Sequence, residues 1–250
     1  MFVTATAQAK NVVQISIPKC GTHLLKKCIW SLTGTKSVAE DQINPYIASP
    51  EKFKHKSKNK THWRNHLFYN ESFEPFLNNS QNAFFFIYRD PRDQIVSFAY
   101  YMKLYNHSVK ANEITFDQLL MELITSESGE IYNNQPPCKN INEIYKKYIP
   151  WLSATHVCSI RFEDLVGPKG GGNLEAQLNS IKKIIEHLGI FLTEDQIHQK
   201  AESLFGGTWT FRKGQIGSWK KHFNEDHKKV FKEVAGQLLI DFGYEESFDW

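Results

Sequence analysis

The run Val12-Val13-Gln14-Ile15-Ser16-Ile17, with Pro18-Lys19-Cys20-Gly21-Thr22-His23 and Leu24-Leu25 directly after it, confines the fold more than any other stretch. Its β-branched residues form an apolar run too short for a helix, which predicts a buried strand. Leu24, Leu25, Cys28, Ile29 and Leu32 then recur at helical spacing, and Gly34 is a stop signal. A strand handing over to a helix through a tight turn leaves backbone N–H groups pointing outward at the positive end of the helix dipole. Lys19 adds a charge and Thr22 a hydroxyl, so the turn reads as an anion site. The Gly-x-x-x-x-Gly-Lys-Ser/Thr pattern of a Walker A loop is absent, and the Lys precedes the Gly. Alone, such a turn is equally a plain strand–helix connection of any α/β domain. Later stretches decide between the two.

A second strand is predicted over Ala83-Phe84-Phe85-Phe86-Ile87-Tyr88, ending in Arg89-Asp90-Pro91-Arg92-Asp93, with a helix from about Asp93 to Tyr105. Pro91 ends the strand pairing, and Asp90 or Asp93 can cap the helix. Ser97 falls eight residues after Arg89 on the first turns of that helix. An Arg at a strand's end and a Ser one turn into the next helix can converge on one anion, repeating the architecture of the first turn.

The remainder alternates in the same way. Thr35 to Ile47 reads as polar and turn-rich, Lys52 to Lys60 as a solvated basic run, and Thr61 to Phe68 shows no clear periodicity. A short helix is predicted over Glu71–Leu77. Others are predicted over Thr115–Ile124, Ile144–Leu152 and from Leu178 to the stop at Gly189, then over Glu194–Leu204 and Glu225–Leu239. Val157–Phe162 reads as a third strand, Gly167–Gly172 as a loop flexible by composition, and Ser126–Asn140 as a long loop. Near the end, Arg212-Lys213-Gly214 opens a glycine-punctuated basic loop, where glycine permits close backbone approach and two cations supply donors. Strands alternating with helices point to an α/β domain around a mainly parallel sheet, and no linker divides residues 1–250.

Composition narrows the classes. Hydrophobic residues make up 41% and charged residues 23%, as in soluble globular chains. A net charge of +3 is too small and dispersed to make nucleic acid the main partner. The four cysteines show no C-x-x-C spacing and read as reduced thiols, and no apolar run approaches the roughly 18 residues of a membrane span. A cytoplasmic address is the expectation, and the oligomeric state stays open.

Three separated stretches together resemble the cytosolic-type sulfotransferases, which use 3′-phosphoadenosine 5′-phosphosulfate (PAPS). They are Pro18-Lys19-Cys20-Gly21-Thr22, Arg89-Asp90-Pro91-Arg92-Asp93 with Ser97, and Arg212-Lys213-Gly214-x-x-Gly217-x-Trp219-Lys220. The resemblance implies a P-loop-like strand–loop–helix in which Lys19, Cys20, Gly21, Thr22 and His23 hold the 5′-phosphosulfate. It implies that Arg89, Ser97, Arg212, Lys213 and Gly214 hold the 3′-phosphate, that Phe162 lies where the family often places a Tyr near the adenine, and that no metal is needed. His23 and Leu24 stand where the family carries a second Thr and a Trp that stacks on the adenine. The partner implied is a small-molecule hydroxyl or amine acceptor. Its identity is left open.

His66-Leu67, 23 residues before Arg89, resembles the family's His-Leu-Pro stretch that carries the general base, with Phe68 in the place of Pro. His62, 27 residues before Arg89, is the alternative, and the spacing favours His66. Arg64 stands two before His66, where the family often has a Lys that assists the leaving oxygen; a guanidinium can stabilise charge there without donating its proton. The competing readings are a non-catalytic nucleotide-binding protein of the same fold and a P-loop-type nucleotide kinase.

Overall fold

Alternate residues of Asn11–Ser16 (β1) pack into two separate apolar layers, which is why the stretch reads as one unbroken hydrophobic run. Val13 and Ile15 face one layer and Val12 the other, each 2% exposed or less. The computed structural model describes residues 10–35, 37–39, 62–105, 109–127, 140–207 and 212–250. Within these, Ser37–Ala39 (β2), His62–Asn65 (β3), Asn82–Tyr88 (β4) and Val157–Arg161 (β5) join β1 in a five-stranded sheet ordered β2-β3-β1-β4-β5. Every pairing is parallel, with Val12 opposite both His62 and Ala83.

Helices cover both faces. On one lie Thr22–Thr33 (α1), Leu174–Leu188 (α9) and Glu194–Leu204 (α10), whose Leu25, Ile29, Ile181, Ile184 and Ile197 pack on Phe85, Ile87 and Ile160. The other layer gathers Phe84 and Phe86 with Phe116–Thr125 (α5), Ile141–Tyr148 (α6) and Glu225–Asp241 (α11). The short helices Glu74–Leu77 (α2), Val109–Glu113 (α4), Pro150–Ser153 (α7) and Phe162–Leu165 (α8) fill the connections, and Pro91–Tyr105 (α3) follows β4. From β1 the chain goes to β2 and β3 on one side, then crosses to β4 and β5 on the other. Such a reversal opens a crevice at the carboxyl ends of the strands flanking it, here β3, β1 and β4.

Several boundaries depart from expectation. The polar stretch after α1 contains β2, and the aperiodic stretch before Leu67 contains β3. Helix α3 starts at Pro91, not Asp93, because proline suits the first helical position and Asp90 caps it by accepting from the Arg92 N–H at 2.9 Å. The helix expected over Ile144–Leu152 is two, α6 and α7, split at Ile149 before Pro150. The third expected strand stops at Arg161, and Phe162 opens α8. Gly167–Gly172, expected to be flexible, is a hydrogen-bonded turn: both Gly170 and Gly172 N–H groups donate to the Gly167 carbonyl. The basic run at 52–60 and Pro136-Pro137 lie outside the described residues.

Candidate active site

The turn after β1 is built to leave a helix end open. Lys19 and Gly21 both take positive φ, 69° and 100°, and α1 starts at Thr22 with Gly21 as its N-cap. The first intrahelical bond is Leu25 N–H to the Gly21 carbonyl, so the N–H groups of Thr22, His23 and Leu24 precede it. No side chain caps α1 and no acidic residue lies in its first turn. Every other described helix of eight or more residues receives a side-chain cap, from Asp90, Thr115, Asn140, Asn173, Thr193 or Asn224. An N-terminus left bare where every other long described helix is capped is suited to an anion. Gly21 is required twice over: a Cβ there would sit 2.7 Å from the Phe162 ring, and φ is left-handed.

Three cations converge on this turn from three elements. Burial, and the neighbouring Arg212 and Arg89 guanidiniums, push the Lys19 ammonium down to about 8. Lys19 lies 4.1 Å over the Tyr101 ring and Arg212 lies 3.9 Å over the Tyr100 ring, both rings presented by α3. Arg89, buried at the end of β4, lies 4.4 Å over the Phe162 ring and donates to the Gln215 carbonyl at 2.7 Å. Phe162 therefore packs between Gly21 and Arg89 as a floor under both turns. Ser97 is half-buried one turn beyond Asp93 on the same face of α3. Arg212 and Lys213 are exposed at the mouth, and Gly214 takes φ 59° behind them.

Cys20 has a different place from the rest of its turn. Its N–H donates to the Ile17 carbonyl at 3.1 Å, and its thiol lies 3.5 Å from the Tyr145 hydroxyl; burial pushes the thiol pKa up to about 12, against the opposing effect of the Tyr145 hydrogen bond. The Tyr145 hydroxyl in turn donates to the Arg89 carbonyl at 3.0 Å. The Gln94 side chain donates to the Pro18 carbonyl at 2.8 Å. Tyr145 and Gln94 thus cross-brace the β1 and β4 turns from behind. Neither role is visible in sequence, since the contacts span 125 and 76 residues.

His66 follows β3 and turns its ring toward the end of β1. Its Nδ1 lies 2.7 Å from the Ser16 carbonyl, which can only accept, so Nδ1 carries the proton and Nε2 the lone pair. The Ser16 hydroxyl, 3.2 Å from the same Nδ1, also bonds the Thr22 hydroxyl at 2.7 Å. The Tyr148 hydroxyl holds the His66 carbonyl at 2.9 Å. Burial lowers the imidazole pKa, the bond to Ser16 opposes this, and the Arg64 and Lys19 charges lower it further. His23, on the first turn of α1, is lowered to about 4 by burial and by Arg64, Lys26, Lys19 and His66. Arg64, half-buried on β3 opposite Gln14, is common to these shifts.

His62 does not reach the crevice. It is fully buried in β3 opposite Val12, with Nε2 3.0 Å from Gln14 Oε1, and burial with the Arg64 and Lys26 charges lowers it to about 4. Four strand residues place it roughly 13 Å from His66 toward the opposite end of the sheet.

The uncapped start of α1 with Lys19, the buried Arg89 and the His66 ring thus stand at the ends of three adjacent strands, β1, β4 and β3. The sulfotransferase domain family matches residues 9–243, and the chain belongs to that family of PAPS-dependent enzymes. Sulfotransferase 6B1 of Mus musculus is 24% identical over 94% of this chain and 80% of its own length. Sulfotransferase 6B1 of Danio rerio is 24% identical over 61% of this chain and 50% of the relative, so the match spans half of that protein. The fold is shared with the crystal structure of mouse sulfotransferase SULT7A1 complexed with PAP (TM-score 0.65, 18% identity, 92% of this chain and 84% of that one). It is shared as well with retinol dehydratase in complex with androsterone and the inactive cofactor PAP (TM-score 0.66, 16% identity, 92% and 80%). No described helix is long and apolar enough to cross a membrane.

Proposed function

We propose that this chain moves the sulfuryl group of PAPS to a hydroxyl of a small organic acceptor, with His66 as the general base. PAPS supplies an activated sulfur–oxygen bond, and the protein supplies charge, position and a proton acceptor. The open N-terminus of α1 and Lys19 suit the 5′-phosphosulfate, while Arg89, Ser97, Arg212, Lys213 and Gly214 suit the 3′-phosphate. Phe162 lies beneath both. The backbone N–H groups of Gly21, Thr22 and His23 are better placed for the donor than Cys20, whose N–H and thiol are both engaged inside the fold.

The acceptor proton passes to His66 Nε2 as the new oxygen–sulfur bond forms and the bridging oxygen leaves with adenosine 3′,5′-bisphosphate (PAP). Lys19 is set to neutralise the charge growing on that oxygen, and Arg64 lies near enough to His66 to act on its charge state. The observation that carries the reading is the pairing of His66 Nδ1 with the Ser16 carbonyl. It fixes the tautomer, keeps Nε2 free of its proton, and anchors the base to the strand that bears Lys19.

The test is transfer of labelled sulfate from PAPS to a mixed panel of phenols, alicyclic alcohols, sugars and amines, with PAP binding measured in parallel. Binding of PAP with no transfer to any acceptor would favour the non-catalytic reading, and a requirement for ATP would favour the kinase.

A further inference from the structure

The Asp93 carboxylate is the meeting point of two parts of the 3′-phosphate site that come from opposite ends of the chain. Its side chain is fully buried. Oδ2 accepts from the Gly217 N–H at 2.8 Å, and Oδ1 accepts from the Trp219 N–H at 2.9 Å and the Ser218 hydroxyl at 3.0 Å. The same Oδ2 lies 3.4 Å from the Arg89 guanidinium one helical turn back. Arg89 in turn reaches the loop itself, through the Gln215 carbonyl. One carboxylate thus closes a ring that runs from Arg89 to Gln215, along the chain to Gly217–Trp219, and back to Asp93.

The loop's other hydrogen bonds are neutral, and two cation–π contacts accompany them, Arg212 3.9 Å over the Tyr100 ring and Arg92 4.2 Å over the Trp219 ring. Ile216 N–H donates to the Gly170 carbonyl at 3.0 Å and the Gln215 amide to the Lys169 carbonyl at 2.9 Å. Charge-assisted bonds are about twice as strong as neutral ones, and Asp93 receives three of them. We propose that Asp93 is the positioning residue of the 3′-phosphate site: it latches the Arg212–Trp219 loop over the nucleotide and aims Arg89 at the same time. The proposal rests on the reading of this site as a PAPS site.

Two opposite effects follow from neutralising Asp93, and their signs separate the proposal from its rival. A negative charge beside Arg89 also competes with a bound phosphate for that guanidinium. If this competition dominated, Asp93→Asn would bind PAP more tightly. If latching dominates, Arg89 loses its aim, the loop loses its anchor, and PAP binds more weakly. Latching is expected to win, because the carboxylate serves three loop donors and Arg89 keeps a second acceptor in Gln215.

The experiment measures PAP and adenosine 5′-phosphosulfate binding by calorimetry on wild type, Asp93→Asn and Ser218→Ala, with limited trypsinolysis read by mass spectrometry. The Arg212 and Lys213 bonds report directly on the loop. Asp93→Asn is expected to weaken PAP by about ten- to a hundredfold and adenosine 5′-phosphosulfate, which lacks the 3′-phosphate, by less than about threefold. Cleavage after Arg212 or Lys213 is expected to speed up. Ser218→Ala removes one of the three bonds, and a smaller change in the same direction is expected; it decides the matter if Asp93→Asn does not fold. Tighter PAP binding, or folded variants with wild-type affinity and wild-type cleavage, would overturn the latch. Equal weakening of both ligands would overturn it too, as that marks a purely structural carboxylate. Failure of wild type to bind PAP would refute the proposed function instead, while the cleavage rates would still test the latch.

Discussion

The ammonium of Lys19 makes PAP binding a pH experiment. Its pKa falls from 10.5 to about 8, first through burial and then through Arg212 and Arg89. A depression of that size corresponds to about 3 kcal/mol of unfavourable charging in the free site. The sign runs as it does for any cation with a lowered folded pKa: the penalty is full below about pH 8, and stability is regained as pH climbs from 8 toward 10.5. A bound anion reverses the preference, since it favours the charged amine. PAP affinity should therefore be flat near neutrality and fall about tenfold per pH unit above pH 8, as each binding event takes up close to one proton. Calorimetry from pH 7.5 to 9.5 at constant ionic strength reads this, and the window sits above Glu163, which burial raises to about 7. Lys19→Arg keeps the charge but does not titrate there, so its profile should be level. A level wild-type profile, or an equally steep one in Lys19→Arg, would refute Lys19 as the group that meets the 5′-phosphate.

Arg89→Ala and Arg212→Ala should each weaken PAP about ten- to a hundredfold yet leave adenosine 5′-phosphosulfate nearly unchanged in competition binding. His66→Asn should keep PAP affinity and thermal stability while kcat falls about 10²–10⁴-fold; His62→Asn, buried against Gln14, should lose stability and keep its activity per folded molecule. Tyr145→Phe removes the donor to the Arg89 carbonyl and should lower stability by about 1–3 kcal/mol in thermal denaturation, with PAP affinity falling alongside.

The first turn was legible because every local signal agrees there: a β-branched run, one glycine, then helical spacing. The helix at Glu194–Leu204 was read to the residue, since Thr193 and Gln196 form a capping box before an apolar stripe. Strand β3 was not, and His-Trp-Arg-Asn explains why. In an inner parallel strand the expected signature is apolar, but His62 bonds Gln14 there through Nε2 and Arg64 lies opposite the same residue, pairings made by a strand some 50 positions away. The choice between the two histidines carries the same lesson. Spacing to Arg89 ranks His66 first, but only the position along β3 puts His62 at the far end of the sheet. Asp90 and Asp93 both looked like helix caps, as their residue type and place beside an apolar helix suggest; the cap is Asp90, and Asp93 holds a loop 124 residues on. Nothing local in the charged run Arg89–Asp93 signals burial, yet Arg89, Asp90, Arg92 and Asp93 are all 7% exposed or less. Burial of that kind is tolerable only when each charge is paired, and the partners lie far along the chain, as with Arg92 and Glu245 at 2.6 Å.

The order of strands also gives the proposed transfer a direction. His66 follows β3, Lys19 follows β1 and Arg89 follows β4, and these are consecutive in the sheet. Adjacent strands lie about 4.8 Å apart, so the three ends step across roughly 10 Å. If Lys19 marks the sulfur, the nucleoside extends toward β4 and the acceptor must enter from the β3 side, opposite the departing oxygen. In-line displacement needs those two directions to be opposed, and a parallel sheet with His66 and Arg89 on either side of β1 is suited to it without any moving part. The consequence is measurable by NMR on protein labelled at histidine nitrogens. PAP alone should shift His23, on the first turn of α1, and leave His66 Nε2 nearly unmoved; adding an acceptor to the PAP complex should then shift His66 Nε2. Were PAP alone to shift His66 Nε2 as strongly as the ternary complex does, the nucleotide would lie on the β3 side, and His66 could not be the group that receives the acceptor proton.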